Sequence, residues 1–100
     1  MGQAQAVKLR YTKRAVQKID KALDYLAERS PQGAARVRER LLAVVQLLLS
    51  HPAAGHATSR SGIRRFAATP YPYLIDYRVV GDEVVIMRFR LAARRPADQV

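Results

Sequence analysis

The 100-residue chain contains no cysteine. That excludes disulfides and thiolate metal sites, and it leaves the redox compartment open. Its two histidines, His51 and His56, stand around Pro52 with no carboxylate beside them. They read as solvated loop residues, so neither a metal nor a cofactor is expected. Long apolar runs are also missing. The longest, Leu41 to Leu49, is interrupted by Gln46 and falls short of the roughly 20 residues that cross a bilayer. Met1 to Ala6 lacks a secretory core, and Ala6 stands where a myristoylation motif needs Ser or Thr. The expectation is one soluble, cytoplasmic domain over residues 1–100, with no membrane contact and a polar tail from about residue 97. Acidic residues are scarce: 8 Asp and Glu face 18 Lys and Arg, for a formal net charge of +10. Such a surface suits polyanions or an acidic protein. Disorder is excluded by a hydrophobic content of 49%.

The densest signal lies between Gly62 and Pro96, which reads as three consecutive strands. Tyr73 to Val80 and Glu83 to Leu91 flank Gly81-Asp82, a two-residue hairpin turn in which glycine supplies positive φ. With those two residues at the turn centre, Val79 faces Val84, Tyr77 faces Ile86 and Ile75 faces Arg88. Alternation then places Tyr73, Ile75, Tyr77, Val79, Val84 and Ile86 on one face, ending in Arg88 and Arg90. The other face carries Leu74, Val80, Val85, Met87, Phe89 and Leu91, interrupted by Asp76 and Arg78. Two apolar faces are more than the rest of the chain can cover, so something outside it is expected to cover one.

Upstream, Val7 to Tyr11 alternates as a short strand. Thr12 then caps a helix to about Arg29 with an apolar stripe of Val16, Ile19, Leu23 and Leu26. Ser30-Pro31 ends that helix and starts the next, with Ser30 as cap and Pro31 in the first turn. The second helix runs to about Ser50 and buries Val37, Leu41, Val44, Val45 and Leu48. A link this short makes an antiparallel helical hairpin. A polar loop from His51-Pro52 to Ser61 follows. The predicted fold is α+β in the order β-α-α-β-β-β, with the helical hairpin packed on one face of a small antiparallel sheet.

From Leu9 to Pro96 the chain resembles the RelE/ParE toxins of type II toxin–antitoxin systems. The resemblance rests on Leu9-Arg10-Tyr11-Thr12 with Ala15, Tyr25-Leu26-Ala27, Ser30-Pro31, Ala34-Ala35, and Pro52 with Gly55. It continues through Gly62-Ile63-Arg64-Arg65-Phe66, Pro72 to Val79, Ile86-Met87-Arg88-Phe89 and Ala93-Arg94-Arg95-Pro96. The pattern is closer to the ParE branch. Leu91 departs from it, standing where ParE-like chains often carry His. The resemblance implies a toxin that poisons DNA gyrase and so blocks replication. It also implies neutralisation in a hetero-oligomer with an acidic antitoxin, of ribbon-helix-helix type with a C-terminal tail that folds against the exposed sheet face and the helical hairpin. The alternative within the superfamily is a RelE-type ribosome-dependent messenger-RNA endoribonuclease. Outside it, a non-toxic module with a basic face for nucleic acid fits the charge.

The candidate partner-binding residues are Arg64 and Arg65 on the second predicted strand of the sequence, Arg88 and Arg90 on the last, Arg94 and Arg95 after it, and Tyr73. The arginines are either a solvated basic rim or a cationic patch, since a guanidinium holds carboxylate or phosphate bidentately. Tyr73 and Tyr77 either pack in the sheet or stack on bases. Tyr71, between Pro70 and Pro72, is expected to be exposed, and Asp76 to pair with Arg78. Cutting RNA needs an acid and a base. Leu91 to Val100 holds no Tyr, His or Lys, and arginine is a poor proton shuttle. A binding protein rather than an enzyme is therefore expected.

Overall fold

The structure, a computed structural model, describes residues 8–92. Its elements are β1 (Lys8–Tyr11), α1 (Lys13–Arg29), α2 (Pro31–Ser50), β2 (His56–Ala57), β3 (Arg64–Ala67), β4 (Tyr73–Val80) and β5 (Glu83–Leu91). The fold is the expected α+β arrangement, with one strand added to the sheet and one pairing parallel. Its order is β1-β5-β4-β3-β2, and the two-residue β2 extends it from within the polar loop. The sheet is mixed rather than wholly antiparallel, because β1 lies parallel to β5. Parallel neighbours need a long connection, and here both helices and the rest of the meander lie between them.

Capping sets the helix boundaries. Thr12 Oγ1 accepts from Ala15 N at 3.1 Å, and Ser30 Oγ accepts from Gly33 N at 3.0 Å. Ser30 closes α1 as well, donating its own N–H to Leu26 O at 2.7 Å. The seam of α1 follows the expected stripe at Ile19, Leu23 and Leu26 and departs from it at Val16. Ala15 is fully buried, with Ile19, Ala22 and Leu26 packed on the core, whereas Val16 is 42% exposed. A small residue at the first contact lets the helix approach the sheet, and a helix advances 100° per residue, which turns Val16 aside. In α2, Val37, Leu41, Val44, Val45 and Leu48 are buried as expected, with Ala34 added to the row.

The β4–β5 ladder begins as expected, with Val79 opposite Val84 and Tyr77 opposite Ile86. It then slips. Asp76 pairs with Arg88 and Ile75 with Phe89, so Met87 is an extra residue, a β-bulge. A one-residue slip exchanges the faces of everything beyond it. Phe89 therefore joins Tyr73, Ile75, Tyr77, Val84 and Ile86 beneath the helices, and stacks on Tyr73 at 4.9 Å between ring centroids. Arg88 leaves the apolar face for the open one, where its neighbour is Asp76, and Arg90 stands opposite Leu74. The expected second apolar face is thus broken by charge.

The bulge has a dedicated partner. Thr12 N donates to Ile86 O at 2.9 Å, and Thr12 Oγ1 donates to the Met87 carbonyl at 3.1 Å. One hydroxyl both caps α1 and satisfies the strand carbonyl that the bulge removes from the ladder. Thr12→Val removes both bonds with little change of shape. It should lower stability by about 1–2 kcal/mol, while Thr12→Ser retains most of it. Urea unfolding of the two variants checks this, and equal midpoints for Val and Ser would contradict the dual role.

A basic open face and an apolar groove

The strand alternation sends neighbouring arginines to opposite sides of the sheet. Arg65 lies on the open face in register with Asp76. Its Nε donates to Asp76 Oδ1 at 2.7 Å and its Nη2 to Oδ2 at 3.1 Å. Asp76 is almost wholly buried, with its side chain 3% exposed against 37% for Arg65. The pair is the bidentate form that fixes both groups, and the bond to Asp76 makes the guanidinium hold its proton more tightly than usual. Asp76 thus pairs across the sheet with Arg65 and not along the strand with Arg78. Arg64 instead serves the loop before β2, donating from Nη1 to Gly55 O at 2.7 Å.

Around the Arg65–Asp76 pair lies a cleft of about 350 Å³. Its cations are Arg60, Arg65 and Arg88, with His56 beside them. Its apolar wall is Ile63, Leu74 and Met87. Arg65 neutralises the one carboxylate, so the cleft keeps a positive surplus suited to phosphate or carboxylate. Among its lining residues, His56 is the single imidazole.

The tyrosines in and around the sheet are structural. Tyr77 is completely buried, accepting from Gly55 N at 2.8 Å and donating to Pro52 O at 2.7 Å. A Cβ at Gly55 would meet Tyr77 Oη at 2.7 Å, so glycine is required there by the close approach. Burial raises the phenol pKa of Tyr77, Tyr73 and Tyr11, which keeps them protonated at neutral pH. Tyr73 is 8% exposed in the core and is not part of the open surface. Tyr71, expected to be exposed, is half-buried against the same core. Arg94 and Arg95 lie outside the described residues. Of the candidate arginines, then, the structure brings Arg65 and Arg88 together in one cleft, leaves Arg90 beside it, and sends Arg64 to the loop.

A second surface lies on the helical hairpin. Between α1 and α2 a groove of about 290 Å³ reaches down to Ile75 and Ile86 of the sheet. Val16, Ile19 and Leu23 form one wall, Leu41, Leu42 and Val45 the other, with Asp20 and Arg38 on the lining. Leu42 is 57% exposed. Its signal was present in the sequence, as a leucine one residue off the buried row of α2. Among the described residues no group of three His, Cys, Asp or Glu is placed to hold a metal ion, and no helix is long and apolar enough to cross a membrane.

The importance of the central pair can be measured directly. Asp76→Asn should cost about 1–3 kcal/mol, because a guanidinium then loses its charged partner. A double-mutant cycle with Arg65→Met in urea should return a favourable coupling, and a coupling near zero would contradict the pairing.

Comparison with known proteins agrees with this architecture. Residues 9–96 match the family model of the ParE toxin of the type II toxin–antitoxin system parDE. A curated relative from Sinorhizobium fredii (strain NBRC 101917 / NGR234), named "Putative toxin Y4kP", is 30% identical over 79 residues, covering 79% of this chain and 82% of its own. Among solved structures, the chromosomal ParDE toxin–antitoxin system of P. aeruginosa superposes with a TM-score of 0.77 at 22% identity, covering 87% of this chain and 97% of that one. The isolated E. coli RelE toxin gives 0.72 at 18% identity, covering 94% and 93%. The two superpositions show the shared fold.

Proposed function

The chain belongs to the ParE toxin family of type II toxin–antitoxin systems, and from that premise we propose that it blocks replication by binding DNA gyrase and stabilising a gyrase–DNA cleavage state. The observation that carries this reading is the ParE-family match over residues 9–96. The make-up of the open face supports it: arginines suited to binding surround a fixed ion pair, and Tyr73 and Tyr77 are locked in the core. In the neutralised state, an acidic, partly disordered tail of a ribbon-helix-helix antitoxin folds against the chain. Its apolar side chains fill the groove between α1 and α2, and its carboxylates meet the basic surface. Folding on binding lets a short segment cover both. Of the two surfaces expected to receive the tail, the helical hairpin supplies the apolar one and the sheet face the charged one.

One observation favours a second reading. His56 lies in the same cleft as Arg60, Arg65 and Arg88, which supplies a proton-transfer group beside cations and would suit a RelE-type ribonuclease. A supercoiling assay separates the two. The purified chain should make gyrase accumulate cleaved DNA, and the Leu42→Glu variant should do the same while escaping neutralisation by the co-expressed antitoxin. Codon-phased cuts in transcripts from induced cells, with gyrase unaffected, would contradict the gyrase reading. Normal neutralisation of Leu42→Glu would remove the groove from it.

A further inference from the structure

The outer surface of α1 carries charge in an arrangement that the fold does not need. At 100° per residue, Arg14, Lys18, Lys21, Tyr25 and Arg29 fall within a sector of roughly 80°, and all five are exposed. Asp20, Asp24 and Glu28 lie together on the adjoining sector, toward the groove that Asp20 lines. The helix therefore segregates its charges instead of pairing them. Arg14 with Lys18, Asp20 with Asp24, and Asp24 with Glu28 are like charges at four-residue spacing, each of which weakens a helix. The first turn also breaks a rule. Lys13 and Arg14 sit there with no acidic residue, where the helix macrodipole disfavours cations. Among the described residues the ion pairs are Arg10–Glu83 and Arg65–Asp76, so Arg14, Lys18 and Lys21 take no part in one, while Arg29 donates from Nη1 to Tyr25 O at 3.0 Å in the last turn. Local rules broken without structural return mark a functional surface.

The chemistry of the stripe selects its partner. Embedding in a bilayer needs an apolar face, and a protein interface needs an apolar anchor. The stripe offers one aromatic, Tyr25, whose ring is covered by the Arg29 guanidinium at 3.7 Å. What remains is a line of cations spanning about 22 Å at the helical rise of 1.5 Å per residue. That length matches six to seven base pairs of duplex, at roughly 3.4 Å each, with a phosphate for every ~1.7 Å of axis. Resting on the gyrase reading, under which the chain works beside duplex DNA, we propose that this face of α1 is a sequence-independent contact for the phosphate backbone of double-stranded DNA. It is distinct from the cleft, and it leaves the groove free for a polypeptide.

Fluorescence anisotropy with a labelled 20-base-pair duplex tests this without gyrase. With Arg14, Lys18 and Lys21 each neutralising a phosphate, log K should fall with log salt at a slope of at least about −2.7. Lys18→Gln with Lys21→Gln should flatten that slope by about 1.8 and weaken binding on the order of tenfold at low salt. Glutamine is a good helix former, so the variant should melt at or above the parent temperature, and a clear fall would make the stripe structural and overturn the proposal. It is overturned equally if the double variant binds as the parent does, or if Arg88→Gln in the cleft gives the larger loss. Retention on vesicles of equal phosphatidylglycerol and phosphatidylcholine, with no binding to duplex, also overturns it. Gyrase inhibition is scored separately, so its failure alone leaves the DNA contact standing.

Discussion

The hydroxyl of Thr12 holds the bulge of β5 in place, and the sorting of Arg88, Phe89 and Arg90 between surface and core depends on that bulge. Met87 is an extra residue in β5, and its carbonyl is turned out of the ladder to meet Thr12 Oγ1. Without the slip, strict alternation would bury Arg88 beneath the helices and expose Phe89 on the far side. Burying an unpaired guanidinium is far more costly than the local loss of one ladder bond. The bulge resolves the conflict by placing the aromatic ring in the core and the cation outside. The same hydroxyl starts α1, so the first helix and the last strand are fixed against each other at one point.

Two surfaces of different character follow. On the helical side α1 and α2 leave a channel down to Ile75 and Ile86, with Val16 and Leu42 partly bare along it. On the other side the Arg65–Asp76 pair anchors a cleft with Arg60 and Arg88. The first surface suits the apolar stripe of a folding peptide, the second suits anions. On the proposed reading one folding tail would meet both, with apolar side chains in the channel and carboxylates at the cleft. This division replaces the simpler picture of a sheet with two apolar faces.

Much of this was legible in the sequence because the signals were local. Thr12, Ser30 and Pro31 marked the helix ends, Gly81-Asp82 marked the turn, and the row from Val37 to Leu48 marked the buried side of α2. What escaped depended on relations that a periodic pattern cannot carry. The bulge left no mark in composition, so the faces of Arg88, Phe89 and Arg90 were exchanged. The partner of Asp76 came from β3, a strand whose register the sequence did not specify. Val16 looked like seam because valine usually is, but Ala15 made the closer contact. Tyr71 looked exposed between two prolines, yet it packs on the core. The candidate site was accordingly half-readable: its residues were visible, while the division of Arg65 and Arg88 to the cleft, Arg64 to the loop and Tyr73 to the core was not.

The central claim is that an inserted residue at Met87 sorts the end of β5 between core and surface. Nuclear Overhauser contacts in the labelled chain test it most directly. The account predicts ring-to-ring contacts between Phe89 and Tyr73, together with Asp76 backbone contacts to Arg88. Contacts pairing Ile75 with Arg88, and Phe89 ring protons free of the core, would contradict it.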